Sequence, residues 1–170
     1  GDPAAGKTWL ALAIASAVST GAPFPDPNHG RCIYHREPAN VIYLSAEDGV
    51  ADTLRPRLDM MEANVENIYT VIGTCEQGEE GLFSFSDIGL LDGLAASLRP
   101  ALIVIDPLQA YLGAGVDMHR ANETRPVLAK LAALAERHKC AVLVLRHLSK
   151  AVATKNIYRG MGSIDFKAAA

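Results

Sequence analysis

The residues best equipped for chemistry stand at the start of the chain. GDPAAGKT, residues 1 to 8, has the form G-x-x-x-x-G-K-[ST], the pattern of a phosphate cradle. Gly1 and Gly6 let the backbone wrap tightly and turn its N–H groups toward phosphate oxygens, with Asp2, Pro3, Ala4 and Ala5 between them. Lys7 supplies a mobile cation for the β- and γ-phosphates, and the Thr8 hydroxyl can ligate Mg2+. A helix starting near Lys7 adds the positive end of its dipole. The bland alternative is a glycine-rich turn before a helix, and a second motif weighs against it.

That motif is LIVID, residues 102 to 106. Its apolar run reads as a buried strand, and Asp106 closes it. A phosphate-cradle enzyme needs an acid there to hold Mg2+, usually through water. The competing reading is an aspartate that merely ends a strand in an Asp-Pro turn. Many ATPases place a glutamate directly after this acid. Here Pro107 follows, so the base must come from elsewhere. Glu47, at the C-terminal end of VIYLS, is the candidate. If that strand neighbours the Asp106 strand or the cradle, Glu47 faces the γ-phosphate and can polarise the attacking water. Asp48 is the fallback, though Asp48 and Gly49 could instead begin the next helix as a cap.

These groups need a scaffold. Residues 8 to 20 are Ala/Leu-rich and helical, with Gly21 as C-cap. Residues 21 to 39 carry four prolines and one further glycine, and read as loop. Strands are expected near 41 to 44, 68 to 72, 101 to 106 and 140 to 145. Helices are expected over 50 to 63, 87 to 98 and 122 to 138, with Pro56 complicating the first of them. A Gly/Glu-rich loop follows residue 72. Several strands are apolar throughout, as both faces of a parallel sheet require. The alternation predicts an α/β three-layer sandwich with a mainly parallel sheet. In such sheets ligands sit at the carboxyl ends of strands. Glu47, Asp48, Asp106, Arg146, His147 and Lys150 cluster at those ends.

Composition sets the outer bounds. The chain has 170 residues, 49% apolar and 21% charged, enough for one domain with a proper core. A net charge of −3 does not announce a nucleic-acid binder, so any such contact needs a local basic patch. The three cysteines, Cys32, Cys75 and Cys140, are odd in number and widely spaced, which fits a reduced, cytoplasmic setting. No apolar run approaches the ~20 residues of a membrane span. The start lacks a strand ahead of the cradle and the end, DFKAAA, has no cap. The expectation is therefore a piece of a longer protein: one domain over residues 1 to 170, its first strand missing.

In order, GDPAAGKT, VIYLSAEDG, LIVIDPLQAYLG, VLVLRHLSK and YRGMGSIDF resemble the motifs of the RecA-like P-loop ATPases. The likeness is greatest to the RepA-type hexameric replicative helicases and the helicase-like modules of phage and plasmid replication proteins. The resemblance covers nearly the whole chain. It implies a RecA-like NTPase core that hydrolyses ATP with Mg2+. By it, Glu47 matches the catalytic glutamate and Asp106 the Walker B aspartate. His147 matches the polar residue that senses the γ-phosphate. Arg159 is similar to the arginine that reaches a neighbouring subunit's ATP, assisted by Lys150. The resemblance also implies a homo-oligomer, a hexameric ring, acting on single-stranded DNA. The corresponding DNA-contact segment, residues 151 to 158, carries one cation, Lys155.

Other features have bland readings beside the sharp ones. His29, Cys32 and His35 offer zinc-type ligands but only three of them, where a structural site wants four. His119 and His138 belong to no constellation and are expected to be exposed. Arg55 and Arg57 stand either near an intersubunit face or on a solvated helix face. Arg125 opens a helix before Pro126. Trp9 is core packing or an adenine platform. Tyr111 and Tyr158 are core residues or base-stacking platforms. Met60 and Met61 are core or interface filler.

Four functions remain in view. The first is an ATPase motor of DNA replication, helicase-like. The second is a RecA-like ATPase of recombination, repair or regulation without unwinding. The third is a small-molecule kinase, disfavoured because residues 151 to 160 make too short a lid. The fourth is a non-catalytic ATP-binding scaffold.

Overall fold

The computed structural model describes residues 6–24, 36–71, 73–76, 79–81, 83–113 and 121–146. Helix α1, Lys7–Thr20, begins directly after Gly6. Gly6 caps it at φ 75° and Gly21 ends it at φ 71°, both left-handed conformations that favour glycine. Strand β1, Val41–Ser45, follows. Next comes one wide π turn, Val50–Leu54, which runs straight into helix α2, Arg55–Met60. Thr53 and Leu54 both donate to the Gly49 carbonyl, at 3.1 and 3.0 Å. Pro56 has no N–H to give back to the preceding turn, so the widening sits where the α pattern would lack a donor. The helix expected over 50 to 63 is thus a π turn plus a short α-helix.

Strand β2, Ile68–Thr70, is shorter than the run of apolar residues implied. The Gly/Glu-rich stretch is not a plain loop: strands β3, Thr74–Glu76, and β4, Glu79–Gly81, pair antiparallel there. Helix α3, Ile88–Leu98, strand β5, Leu102–Asp106, helix α4, Ala121–His138, and strand β6, Ala141–Val144, complete the order. Each lies within a residue or so of its expected bounds.

The main sheet is four-stranded, ordered β2-β1-β5-β6, and every pairing is parallel. Along β1 and β5 the register runs from Val41 opposite Leu102 to Ser45 opposite Asp106. Side chains alternate between faces, so register decides which residues meet. Val41, Tyr43, Leu102 and Val104 pack under Ala11, Leu12 and Ala15 of α1, Leu54 of the π turn and Leu58 of α2. Ile42, Leu44, Ile103 and Ile105 pack under Leu91 and Ala95 of α3 and Leu131 and Leu134 of α4. That is helix, sheet, helix, the three-layer α/β sandwich. Burial on both faces explains why these strands are apolar without alternation.

Two polar seams tie the layers. Buried Ser19 on α1 accepts from the Asn64 N–H at 3.1 Å, and Ser16 donates to the Met61 carbonyl at 2.9 Å. Between α3 and α4, Asp92 accepts from Arg137 at 2.7 Å and bonds His138 at 2.8 Å. His138 therefore belongs to a constellation, contrary to expectation, and its side chain is only 13% exposed. Met60 is exposed on α2, whereas Met61 packs against the α1-side core. No described helix is long and apolar enough to cross a membrane.

Candidate active site

The site is built where α1 begins and β1 and β5 end. Asp106 has the same parity as Leu102 and Val104, so its carboxylate leaves β5 on the α1 side of the sheet. There it meets the first turn of α1. The Thr8 hydroxyl donates to Asp106 Oδ2 at 2.9 Å. Tyr43, two residues before the end of β1 and on the same face, donates its hydroxyl to that same oxygen at 3.2 Å.

Asp106 is 9% exposed. Burial pushes its carboxyl above the usual carboxylate range, against the pull of the Thr8 and Tyr43 hydrogen bonds. The negative charges of Glu47 and Asp48 push the same way, which places both carboxylates within electrostatic reach of Asp106. Burial, and then the charge on Asp106, also raises the Tyr43 phenol far beyond its ordinary value. Tyr43 is thus a permanent donor. Sequence reasoning missed it. The local signal was a tyrosine among the aliphatic residues of β1.

Glu47 is exposed, just beyond β1. Its neighbours on either side are anchored. The Ala46 N–H donates to the Asp106 carbonyl at 3.2 Å, and the Asp48 carbonyl accepts from Ser45 Oγ at 3.0 Å. Strand β1 lies directly beside β5, the adjacency on which the reading of Glu47 depended.

Asp48 does not cap a helix. Gly49 occupies the capping position before the π turn, with no side-chain cap bond. The Asp48 carboxylate instead pairs with Arg57 at 2.8 Å. The Arg57 guanidinium lies 5.2 Å over the centre of the Trp9 ring. Trp9 is 43% exposed and is not core packing. Arg55 makes an exposed i,i+4 pair with Asp59 at 2.9 Å. The two arginines of α2, alike in sequence, thus do different things.

Tyr111 is buried rather than presented for stacking. Its ring packs against Phe83 and Phe85 at centroid distances of 6.0 and 5.9 Å. Arg146 stands just past β6, half-buried, and burial lowers its pKa. Arg125 is exposed on α4, ahead of Pro126. Of the cradle, Gly6, Lys7 and Thr8 are described, and Gly1, Asp2, Pro3, Ala4 and Ala5 lie outside the described residues. So do His29, Cys32, His35, His119, His147, Lys150, Lys155, Tyr158 and Arg159.

Thr8 and Asp106 put a hydroxyl and a carboxylate side by side at the start of a helix. Hard oxygen donors of this kind suit Mg2+, which keeps several waters and takes its other ligands from substrate phosphates. Among the described residues no cluster of three or more His, Cys, Asp or Glu could hold a metal ion by itself. The donor set therefore fits a metal that arrives with a phosphate substrate.

Residues 1–153 match the model of a known family, the AAA domain. No curated protein matches the chain. With nine-tenths of its length covered by that match, the chain belongs to the AAA domain family and carries a P-loop ATPase-type domain.

Proposed function

We propose that the chain is the RecA-like motor core of a DNA-replication ATPase, helicase-like, which hydrolyses ATP with Mg2+. The observation that carries the catalytic part is the Thr8–Asp106 hydrogen bond, with the Glu47 turn one strand away. The order of the five motifs supports the replication part.

In this reading residues 1 to 8 wrap the triphosphate, and Lys7 holds its β- and γ-phosphates. Mg2+ held by Thr8 and Asp106 would offset charge on the phosphates. Tyr43 and Thr8 keep the Asp106 carboxylate oriented. Glu47 orients a water and takes its proton as the water oxygen bonds to the γ-phosphorus. The bond from that phosphorus to the β–γ bridging oxygen breaks, leaving ADP and phosphate. His147 senses the γ-phosphate. Arg159, from a neighbouring subunit, stabilises the charge developing on the transferring group and couples hydrolysis to assembly in a hexameric ring on single-stranded DNA.

The test is ATP turnover by the intact protein with and without single-stranded DNA. Glu47→Gln is expected to lose about 100-fold or more in turnover while still binding nucleotide, and Lys7→Ala to lose both. Full turnover in Glu47→Gln alongside a dead Lys7→Ala removes Glu47 from the mechanism. Turnover indifferent to DNA, from a protein that assembles as an open filament, would direct the reading to a recombination or repair ATPase.

A further inference from the structure

We infer that Arg57 is a positioning residue, locking the turn that carries Glu47 against the first turn of α1 through Asp48 on one side and Trp9 on the other. The inference rests on the proposed role of Glu47 as base.

Glu47 sits in the turn just beyond β1. Ala46 is tied to β5 and the Asp48 carbonyl is tied back to Ser45. Those bonds fix the turn to the sheet. The Asp48 side chain adds a link toward α1, where Lys7 and Thr8 stand, through Arg57 at 2.8 Å and on to the Trp9 ring at 5.2 Å. Trp9 directly follows Thr8, so the contact ends one residue from the cradle.

Chemistry distinguishes this link from ordinary surface charge. The Arg57 and Asp48 side chains are 27% and 30% exposed, against 56% and 55% for Arg55 and Asp59. Partial burial weakens solvent screening and strengthens the pair. The stacked guanidinium is also oriented by the aromatic face, which a lysine ammonium would do less well. Trp9, 43% exposed, lies outside both hydrophobic clusters.

The test combines turnover, nucleotide affinity and tryptophan emission in the intact protein. Trp9 is the only tryptophan of these 170 residues, so their tryptophan fluorescence reports the surroundings of Trp9. Arg57→Gln is expected to lower kcat about tenfold or more while the affinity for a fluorescent ADP analogue stays within about twofold. Asp48→Asn is expected to do the same, and the double variant no worse than either single one, because both break one link. Arg57→Lys is expected to recover part of kcat. The Trp9 emission should shift to the red in Arg57→Gln and stay in place in Glu47→Gln. If Arg57→Gln melts below the assay temperature, Asp48→Asn carries the same test. A kcat within about twofold of wild type in Asp48→Asn, with turnover lost in Glu47→Gln, overturns the positioning role alone. Retained turnover in Glu47→Gln overturns the base assignment and this inference with it.

Discussion

Thr8 and Asp106 lie 98 positions apart, yet the threonine hydroxyl donates to the aspartate carboxylate at 2.9 Å. The bond joins α1 to the strand that carries the buried acid. It is made possible by parity: Asp106 exits β5 on the face that α1 covers. Thr8→Ala is expected to lower ATP turnover by about 10- to 100-fold and to raise the Mg2+ concentration needed for half-maximal rate. Asp106→Asn keeps the size of the side chain and an oxygen for both hydroxyls, so the fold should survive while turnover falls about 100-fold. Circular dichroism alongside a phosphate-release assay separates the two effects.

Two buried tyrosines make opposite predictions. The Tyr43 hydroxyl donates to a carboxylate, whereas the Tyr111 hydroxyl is buried with no hydrogen-bond partner among the described residues. Burial and the nearby Asp106 charge push the Tyr111 phenol up to about 12, so it stays neutral. Tyr43→Phe is expected to destabilise the protein by about 1.5–3 kcal/mol, the worth of a hydrogen bond to a charged group. Tyr111→Phe removes an unsatisfied group and should be neutral or stabilising, by up to about 1 kcal/mol. Urea midpoints measured side by side decide it. A Tyr111→Phe loss as large as that of Tyr43→Phe would contradict the assignment of partners.

The seam between α3 and α4 predicts an acid-sensitive contribution to stability. The hydrogen bond from His138, helped by Arg137, holds the Asp92 carboxyl below its usual 3.8. A lowered value in the folded state means that the unfolded chain binds more protons in that window. The stabilisation is therefore present above about pH 4 and is lost as pH falls through the folded value. Thermal midpoints of wild type and Asp92→Asn should differ above that pH and converge below it. Parallel curves down to the lowest pH would show that Asp92 contributes nothing through its charge.

Glycines at two positions should respond in opposite directions to alanine. Gly21 ends α1 at φ 71°, and a Cβ there would run into the Arg36 carbonyl oxygen. Gly21→Ala is expected to cost at least about 1–2 kcal/mol. Gly93 lies within α3 with open space around the position a Cβ would take. Gly93→Ala should stabilise by about 0.5–1 kcal/mol, the helix-propensity difference. Thermal melts of the two variants provide the check.

Much of the scaffold was legible because its signals are local. Apolar runs at 41–44 and 102–105 mark strands buried on both faces, and the structure buries both. The helix after Lys7 and its glycine stop were equally plain. The β3–β4 pair was not, since a glycine- and glutamate-rich stretch has no apolar face to announce a strand. The wide turn before Pro56 was foreshadowed only as a complication.

What the residue order determined by itself is the inventory and its sites of attachment: a lysine and a threonine at a helix start, an acid closing an apolar strand, a glutamate just past another. Such patterns depend on neighbours within a few positions, where backbone geometry is set. Only the tertiary structure decided the partners. Tyr43 meets Asp106, Asp48 takes Arg57 instead of capping a helix, Tyr111 turns into an aromatic cluster, and His138 finds Asp92. Apart from the Asp48–Arg57 pair, each of those contacts spans dozens of residues. They exist because sheet register and helix packing bring distant side chains onto one face, and no local pattern encodes that.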